Sequence, residues 1–217
     1  MRHFLIPLLI CVVALAGCSS RKYVRSSVDS RTVDQAKVSP SAISIEAAPA
    51  DGKNPLEHEE YRGLLARALE SKGWTVVKSG SSVPYLKFAY KVDGGKVVGS
   101  TSYTFSSASA SRSGGSIQAM GNSWETSSAL ISYNRYLGLR AYDAQGRVWW
   151  SVDVGSDGYE GNLRNVMPYL TVAGAGWAGR PNQQTKTTVV RDEEVSALFP
   201  EKAQQPKGNP WEKAKED

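Results

Sequence analysis

Three stretches of this chain alternate apolar and polar residues with a period of two, and nothing else in the sequence constrains the fold as much. Leu86, Phe88, Tyr90 and Val92 alternate with Lys87, Ala89, Lys91 and Asp93. Leu137, Leu139 and Ala141 alternate with Gly138, Arg140 and Tyr142. Val148, Trp150, Val152 and Val154 alternate with Arg147, Trp149, Ser151 and Asp153. Successive side chains of a strand point to opposite faces, so each stretch reads as a strand with one face buried and one wet. Residues 143–146 read as a hairpin turn between the last two, with Gly146 free to take a positive φ.

The buried face needs a cover. Tyr61, Leu64, Leu65, Ala68 and Leu69 recur at helical spacing and form one apolar stripe. Asn54 suits the N-cap, Pro55 the first helical position, Glu57 a capping-box-like pattern and Gly73 the C-terminal stop. Leu163, Val166, Met167, Leu170, Ala173, Gly174 and Trp177 predict a second helix, with Pro168 moving its true start towards Asn165. Shorter strands are expected over 42–47, 74–77 and 187–190, and a helical turn over 195–200. Together these predict an α+β fold: a largely antiparallel sheet of about four to five strands with two main helices packed on one face.

The chain has 217 residues, 41% of them apolar and 22% charged, and a net charge of +5. That composition suits one globular domain and excludes a collagenous, wholly disordered or multi-span membrane chain. The folded part is expected over 38–200. Residues 18–37 lack apolar periodicity and read as a flexible tether of about 25 Å. Arg21, Lys22 and Arg25 within it either touch anionic headgroups or keep the tether soluble. Residues 201–217, charged and carrying Pro206 and Pro210, read as a disordered tail. The serine-rich segment 99–128 reads either as a long loop or as a hairpin arm, since Tyr103 and Phe105 alternate with small polar residues.

The chemistry-bearing residues are few. Gly174-Ala175-Gly176-Trp177-Ala178-Gly179 spells G-x-G-x-x-G, but a dinucleotide site needs a strand before it and a helix after it. Here a helix precedes and Arg180-Pro181 follows, so the small residues read as a closely packed helix end. Asp153, Asp157 and Glu160 miss the calcium-loop spacing, whose third and twelfth positions would be Gly155 and Arg164. They read as turn and cap residues, with acid–base work on a sugar as the alternative. His58 stands among Glu57, Glu59 and Glu60 and reads as an exposed histidine on an acidic turn. No G-x-S-x-G elbow occurs. No catalytic residue, cofactor or metal site is therefore expected. Trp149 is expected on the opposite strand face from Trp150, beside Arg140 and Tyr142, as a surface for a glycan or protein. Tyr103 and Phe105 join it as candidate binding residues, and Trp211 as a short docking motif. With no basic stripe, nucleic acid is not an expected partner.

Residues 4–16 form a nearly unbroken apolar run, short of the roughly 20 residues a spanning helix needs. It ends in Leu15-Ala16-Gly17-Cys18, followed by Ser19 and Ser20. This segment resembles the bacterial lipoprotein signal, whose Leu-Ala-Gly-Cys box it matches in full. The resemblance implies cleavage between Gly17 and Cys18, removal of residues 1–17 and acylation of Cys18. That leaves Cys18 as the only cysteine and His58 as the only histidine. Ser19, where inner-membrane retention carries Asp, implies the outer membrane, facing the periplasm. Over about residues 60–200 the chain also resembles uncharacterised proteobacterial envelope lipoproteins. The segments that carry this are 61–74, 137–143 running into Val148-Trp149-Trp150, and the ending Leu198-Phe199-Pro200.

These readings predict an outer-membrane-anchored, non-enzymatic lipoprotein that binds an envelope partner or helps assemble the cell surface. The alternatives are a protein that binds or processes peptidoglycan or another glycan, and an accessory activator of a cell-wall synthase. The expected partners are the membrane, through the Cys18 anchor, and an envelope protein or glycan.

Overall fold

The computed structural model describes residues 22–33, 37–46, 54–78, 83–113, 116–182 and 184–203. Side chains are described for all of these except 101, 103–113, 116–126 and 202–203. The signal segment, Gly17, Cys18 and Trp211 lie outside the described residues.

The chain runs β1 (Tyr23–Thr32), β2 (Ala42–Ile45), α1 (Pro55–Glu70), β3 (Thr75–Val77), β4 (Tyr85–Val92), β5 (Lys96–Ser113), β6 (Ser116–Tyr142), β7 (Val148–Gly158), α2 (Leu163–Trp177), β8 (Lys186–Arg191), α3 (Asp192–Leu198) and the single turn α4 (Pro200–Ala203). Seven strands lie in the order β3-β2-β4-β6-β7-β1-β8, and β5 adds to β6. This corrects the expectation of a largely antiparallel four- to five-stranded sheet: eight strands form a mixed sheet. The β2–β3 and β2–β4 pairs are parallel, because α1 returns the chain from β2 to β3 as a crossover. The pairs β4–β6, β6–β7, β1–β7, β1–β8 and β5–β6 are antiparallel.

The first correction concerns β1. Residues 23–32 are not tether but an inner strand between β7 and β8. Their buried positions are Val24, Ser26, Val28, Ser30 and Thr32, so three of five are hydroxyl residues and the apolar alternation is hidden. Ser30 shows why a hydroxyl fits there. Its single Oγ–H is shared between the Arg180 carbonyl at 2.6 Å and, at 3.1 Å, the Trp177 carbonyl that also accepts from Arg180 N, where α2 ends. Asn182 completes the tie, accepting from Ser30 N at 3.0 Å and donating to the Val28 carbonyl at 2.9 Å. The folded domain therefore takes in Tyr23–Thr32, which the sequence alone assigns to the tether.

The serine-rich segment, for which the sequence leaves both a loop and a hairpin arm open, takes the second form: its described residues, 99–113 and 116–128, are all strand. Lys96–Ser113 pairs in register with Ser116–Ser132, from Lys96 opposite Ser132 to Ser113 opposite Ser116, with one bulge at Val97/Gly99. At about 3.3 Å per residue, the 18-residue β5 makes an arm roughly 55 Å long. β4 and β5 lie end to end along the same side of β6.

Helices α1 and α2 lie side by side on one face. Beneath them Tyr61, Leu65, Leu86, Leu137, Leu139, Trp150, Val152, Val154, Met167 and Leu170 are at most 2% exposed. Asn54 caps α1, its Oδ1 accepting from Leu56 N at 3.0 Å. Glu57 does not close a capping box; it accepts the Tyr61 hydroxyl at 2.6 Å instead. Gly73 ends the helix with φ +89°. α2 begins at Leu163, capped by Asn162, rather than at Asn165, and carries Pro168 inside it. The small residues at its end pack closely. A Cβ on Gly174 would meet Leu139 Cδ1 at 3.1 Å and Val154 Cγ2 at 3.3 Å.

Candidate functional site

The face of the sheet away from the helices carries the other parity of the same strands. On it, Lys87 of β4 lies opposite Arg140 of β6, which lies opposite Ser151 of β7. Arg140 reaches diagonally to Asp153 and donates to both carboxylate oxygens at 2.9 Å. Tyr136 donates its hydroxyl to the same Asp153. Burial works against the Arg140 charge, but Asp153 outweighs it and holds the guanidinium above its ordinary range. Burial, then the Asp153 bond, pushes the Tyr136 phenol up. Gly138 makes the arrangement possible: a Cβ there would meet Tyr136 Oη at 2.4 Å.

One register step towards the hairpin turn, Tyr85 and Tyr142 stack with ring centroids 5.0 Å apart and planes 12° apart. Lys87 Nζ lies 5.8 Å from one centroid and 5.9 Å from the other, and 3.3 Å from Glu46 Oε2. This is a flat aromatic platform with a cation beside it, partly open to solvent.

Trp149 does not join it. The register shift between Ala141 and Tyr142 puts Val148, not Trp149, opposite Tyr142. The broken period turns Trp149 to the core edge, where it meets Trp74 edge-on at 5.9 Å. Trp74 also leans on Trp150 at 5.5 Å. Of the expected surface Trp149–Tyr142–Arg140, Tyr142 and Arg140 are on the open face and Trp149 is not. Tyr103 and Phe105 fall in β5 opposite Thr126 and Trp124. Their side chains lie outside those described.

The carboxylates separate as well. Asp153 is held by Arg140 and Tyr136, whereas Asp157 lies opposite Asn134. Glu160 accepts from Asn162 N at 2.8 Å and from Asn165 Nδ2 at 3.0 Å, beside the α2 cap. Nothing in this geometry resembles a pair of carboxylates facing a sugar.

His58 is not an exposed residue on an acidic turn. It is 3% exposed and stacks on Phe88 with centroids 4.3 Å apart and planes 11° apart. Burial lowers its pKa, against the Glu46 backbone and the Glu59 carboxylate, which favour the charged form. Its position was legible, because it stands three residues before Tyr61 on the same helical stripe.

At the arm's root, Arg135 is 5% exposed. It donates to Ser156 Oγ at 2.8 Å and to the Ser156 and Glu160 carbonyls at 3.4 Å. Tyr133 lies against both Gly95 and Gly161, where an added Cβ would approach its ring to 2.8 Å. A cleft of about 430 Å³ opens nearby, between the N-termini of α1 and α2, lined by Asn54, Leu56, Glu57, Glu60, Asn162 and Arg164. The Arg164–Glu60 pair closes to 2.5 Å across it.

These features define a class: a two-layer mixed-sheet α/β domain with one face open and a long two-stranded arm. No family model matches the chain, and no curated protein matches it. Among solved structures it is similar, at 10% identity and a TM-score of 0.43, to a PelC dodecamer from Paraburkholderia phytofirmans, with 72% of this chain and 99% of that one covered. A second crystal form of the same dodecamer gives 0.38. A PDZ domain protein from Parabacteroides distasonis gives 0.43 at 10% identity, covering 85% of this chain and 42% of that one.

Proposed function

We propose that this chain is an outer-membrane lipoprotein whose domain works as a binding or assembly module of the cell envelope rather than as an enzyme. The arm carries this reading. A two-stranded ribbon is marginal on its own, and this one leaves the outer edge of β5 and the arm half of β6 without a described partner. Soluble proteins blunt such edges with charge or proline. Between Val97 and Ile131 only Arg112 and Glu125 are charged, and there is no proline. An edge left open over this length is there to be paired. Replacing 97–131 by a short turn is expected to remove the protein from its crosslinked envelope complexes while leaving the domain folded. Unchanged complexes and full complementation would remove the arm from the function.

The Tyr85–Tyr142 platform with Lys87 favours one alternative, a glycan-binding surface. Retention of the purified domain on peptidoglycan, lost on Tyr85→Ala with Tyr142→Ala, would support it. No retention by the unaltered domain would end it.

A further inference from the structure

We propose that the end of the domain from which the arm leaves faces the lipid bilayer, and that the arm enters it. This rests on the lipoprotein reading for its anchor but stands on geometry of its own.

The N-terminus and the arm leave the sheet at the same end. Ser27 pairs with Gly155 and Tyr133 with Gly158, so the register brings Tyr23 level with the arm's root at Ser132. β1 runs away from that end, so the chain enters the sheet there, beside the arm's root. Three residues lie between Cys18 and Lys22, so four steps of chain, at most about 14 Å, connect them. An acyl chain on Cys18 therefore holds the bilayer within that distance of the root, while the arm reaches roughly 55 Å out from it. An arm longer than the gap passes into the lipid.

The surface chemistry agrees. Tyr23 (58%), Leu56 (82%), Val97 (61%), Val98 (54%), Leu130 (44%) and Tyr159 (66%) are large apolar or aromatic residues left exposed at this end. Val92, Ile131 and Val189 are exposed there too. Of the exposed large apolar residues among those described, only Val33 and Val148 sit at the opposite end. Nine of the eleven exposed large apolar residues among those described therefore lie at the end from which the arm leaves. Asp93, Asp157, Glu57, Glu160 and Glu193 also lie here beside Lys22, Arg25 and Lys96, so attraction to headgroup charge is not the driving term.

The arm suits the crossing in length and in pattern. A membrane strand needs about 9–11 residues, and β5 has 18. Register positions of one parity hold Leu130, Tyr103, Phe105, Trp124 and Met120. The other parity holds Ser100, Ser102, Thr104, Ser106, Arg112, Ser123, Glu125 and Ser127, with Ala108, Ala110, Ala119, Gly121 and Ala129 among them and Ile117 near the tip. This is the two-residue repeat of a strand with one face to lipid and one to a polar lumen, diluted on the apolar side by Ser, Thr, Asn122 and Gln118. Among the described residues no helix is long and apolar enough to cross a membrane. Lipid offers nothing to the open edges of β5 and β6, so inserted arms must pair with arms of neighbouring copies, β6 of one against β5 of the next.

The test uses the chain from residue 18 onward, which holds every described element, with Cys18→Ser so that no acyl chain contributes. It is mixed with vesicles of phosphatidylethanolamine and phosphatidylglycerol and floated on a density gradient. The protein is expected to float. Val97→Asp with Val98→Asp, exposed positions outside the core, should cut flotation by about tenfold or more with an unchanged circular dichroism spectrum. A dye on Ser107→Cys should be quenched by lipid-borne bromine, and a dye on Ala144→Cys at the far hairpin should not. Failure to float, indifference to the Asp pair, or an unquenched dye at 107 overturns the proposal. Arm-dependent oligomers without flotation also overturn it, in favour of a soluble arm-to-arm interface. Palmitate incorporation into the Cys18 chain tests the anchor separately, so either reading can fail alone.

Discussion

His58 is the residue whose environment most changes what the protein does with pH. Phe88 and Tyr90 stack beneath it, Glu46 and Glu59 face it with negative charge, and Arg62 with positive. Burial wins, and the folded-state pKa lies below the unfolded value. The unfolded chain therefore binds the proton more readily, and stability falls as pH falls through that range. The contribution is fully present above the unfolded pKa of about 6.5 and is lost as pH falls through the depressed folded value. Chemical denaturation of the unaltered protein should show lower stability at about pH 5.5 than at pH 7.5. His58→Phe, which keeps a stacked ring, should flatten that dependence; an unchanged slope would assign it to other groups. On the open face, Tyr136→Phe removes one bond to Asp153 and should cost about 0.5–1.5 kcal/mol, measured by the same method.

At the scale of elements, two helical glycines make opposite predictions. Gly63 is exposed in the middle of α1, and a Cβ there meets nothing within 4 Å. Gly63→Ala should stabilise by about 0.5–1 kcal/mol, because glycine loses the most backbone freedom in a helix. Gly174 of α2 instead lies against Leu139 and Val154. Gly174→Val should destabilise by about 1–3 kcal/mol through overpacking, seen as a lowered thermal midpoint. The elements with clear alternation or helical stripes, β4, β7, the second half of β6, α1 and α2, could all be read from their residues. β1 could not, because three of its five buried positions hold hydroxyl residues, and Ser30 among them finds its partners only at the distant end of α2. The open-face site was half legible. Tyr142 and Arg140 follow the period of two, whereas the bulge beside Tyr142 changes Trp149's face, and no residue pattern announces a bulge.

For the whole molecule, β1 and the arm predict contrasting truncations. A chain beginning at residue 38 lacks the strand between β7 and β8 and should show no cooperative unfolding transition, since it exposes the edges of both neighbours. Replacing 97–131 removes pairs made only between β5 and β6. The thermal midpoint should then stay within a few degrees, about what 1 kcal/mol shifts in a domain of this size. A large fall would mean that the arm supports the sheet. The sequence by itself determined which residues face the core wherever that face is apolar, and where both helices lie, because hydrophobic burial writes its period directly into the residues. Only the tertiary structure decided that this segment is an arm, that β1 is inside the sheet, and that the arm and the N-terminus leave by the same end. Strand order and register depend on contacts between residues far apart in the chain, and hydroxyls, glycines and bulges satisfy those contacts without leaving a local pattern.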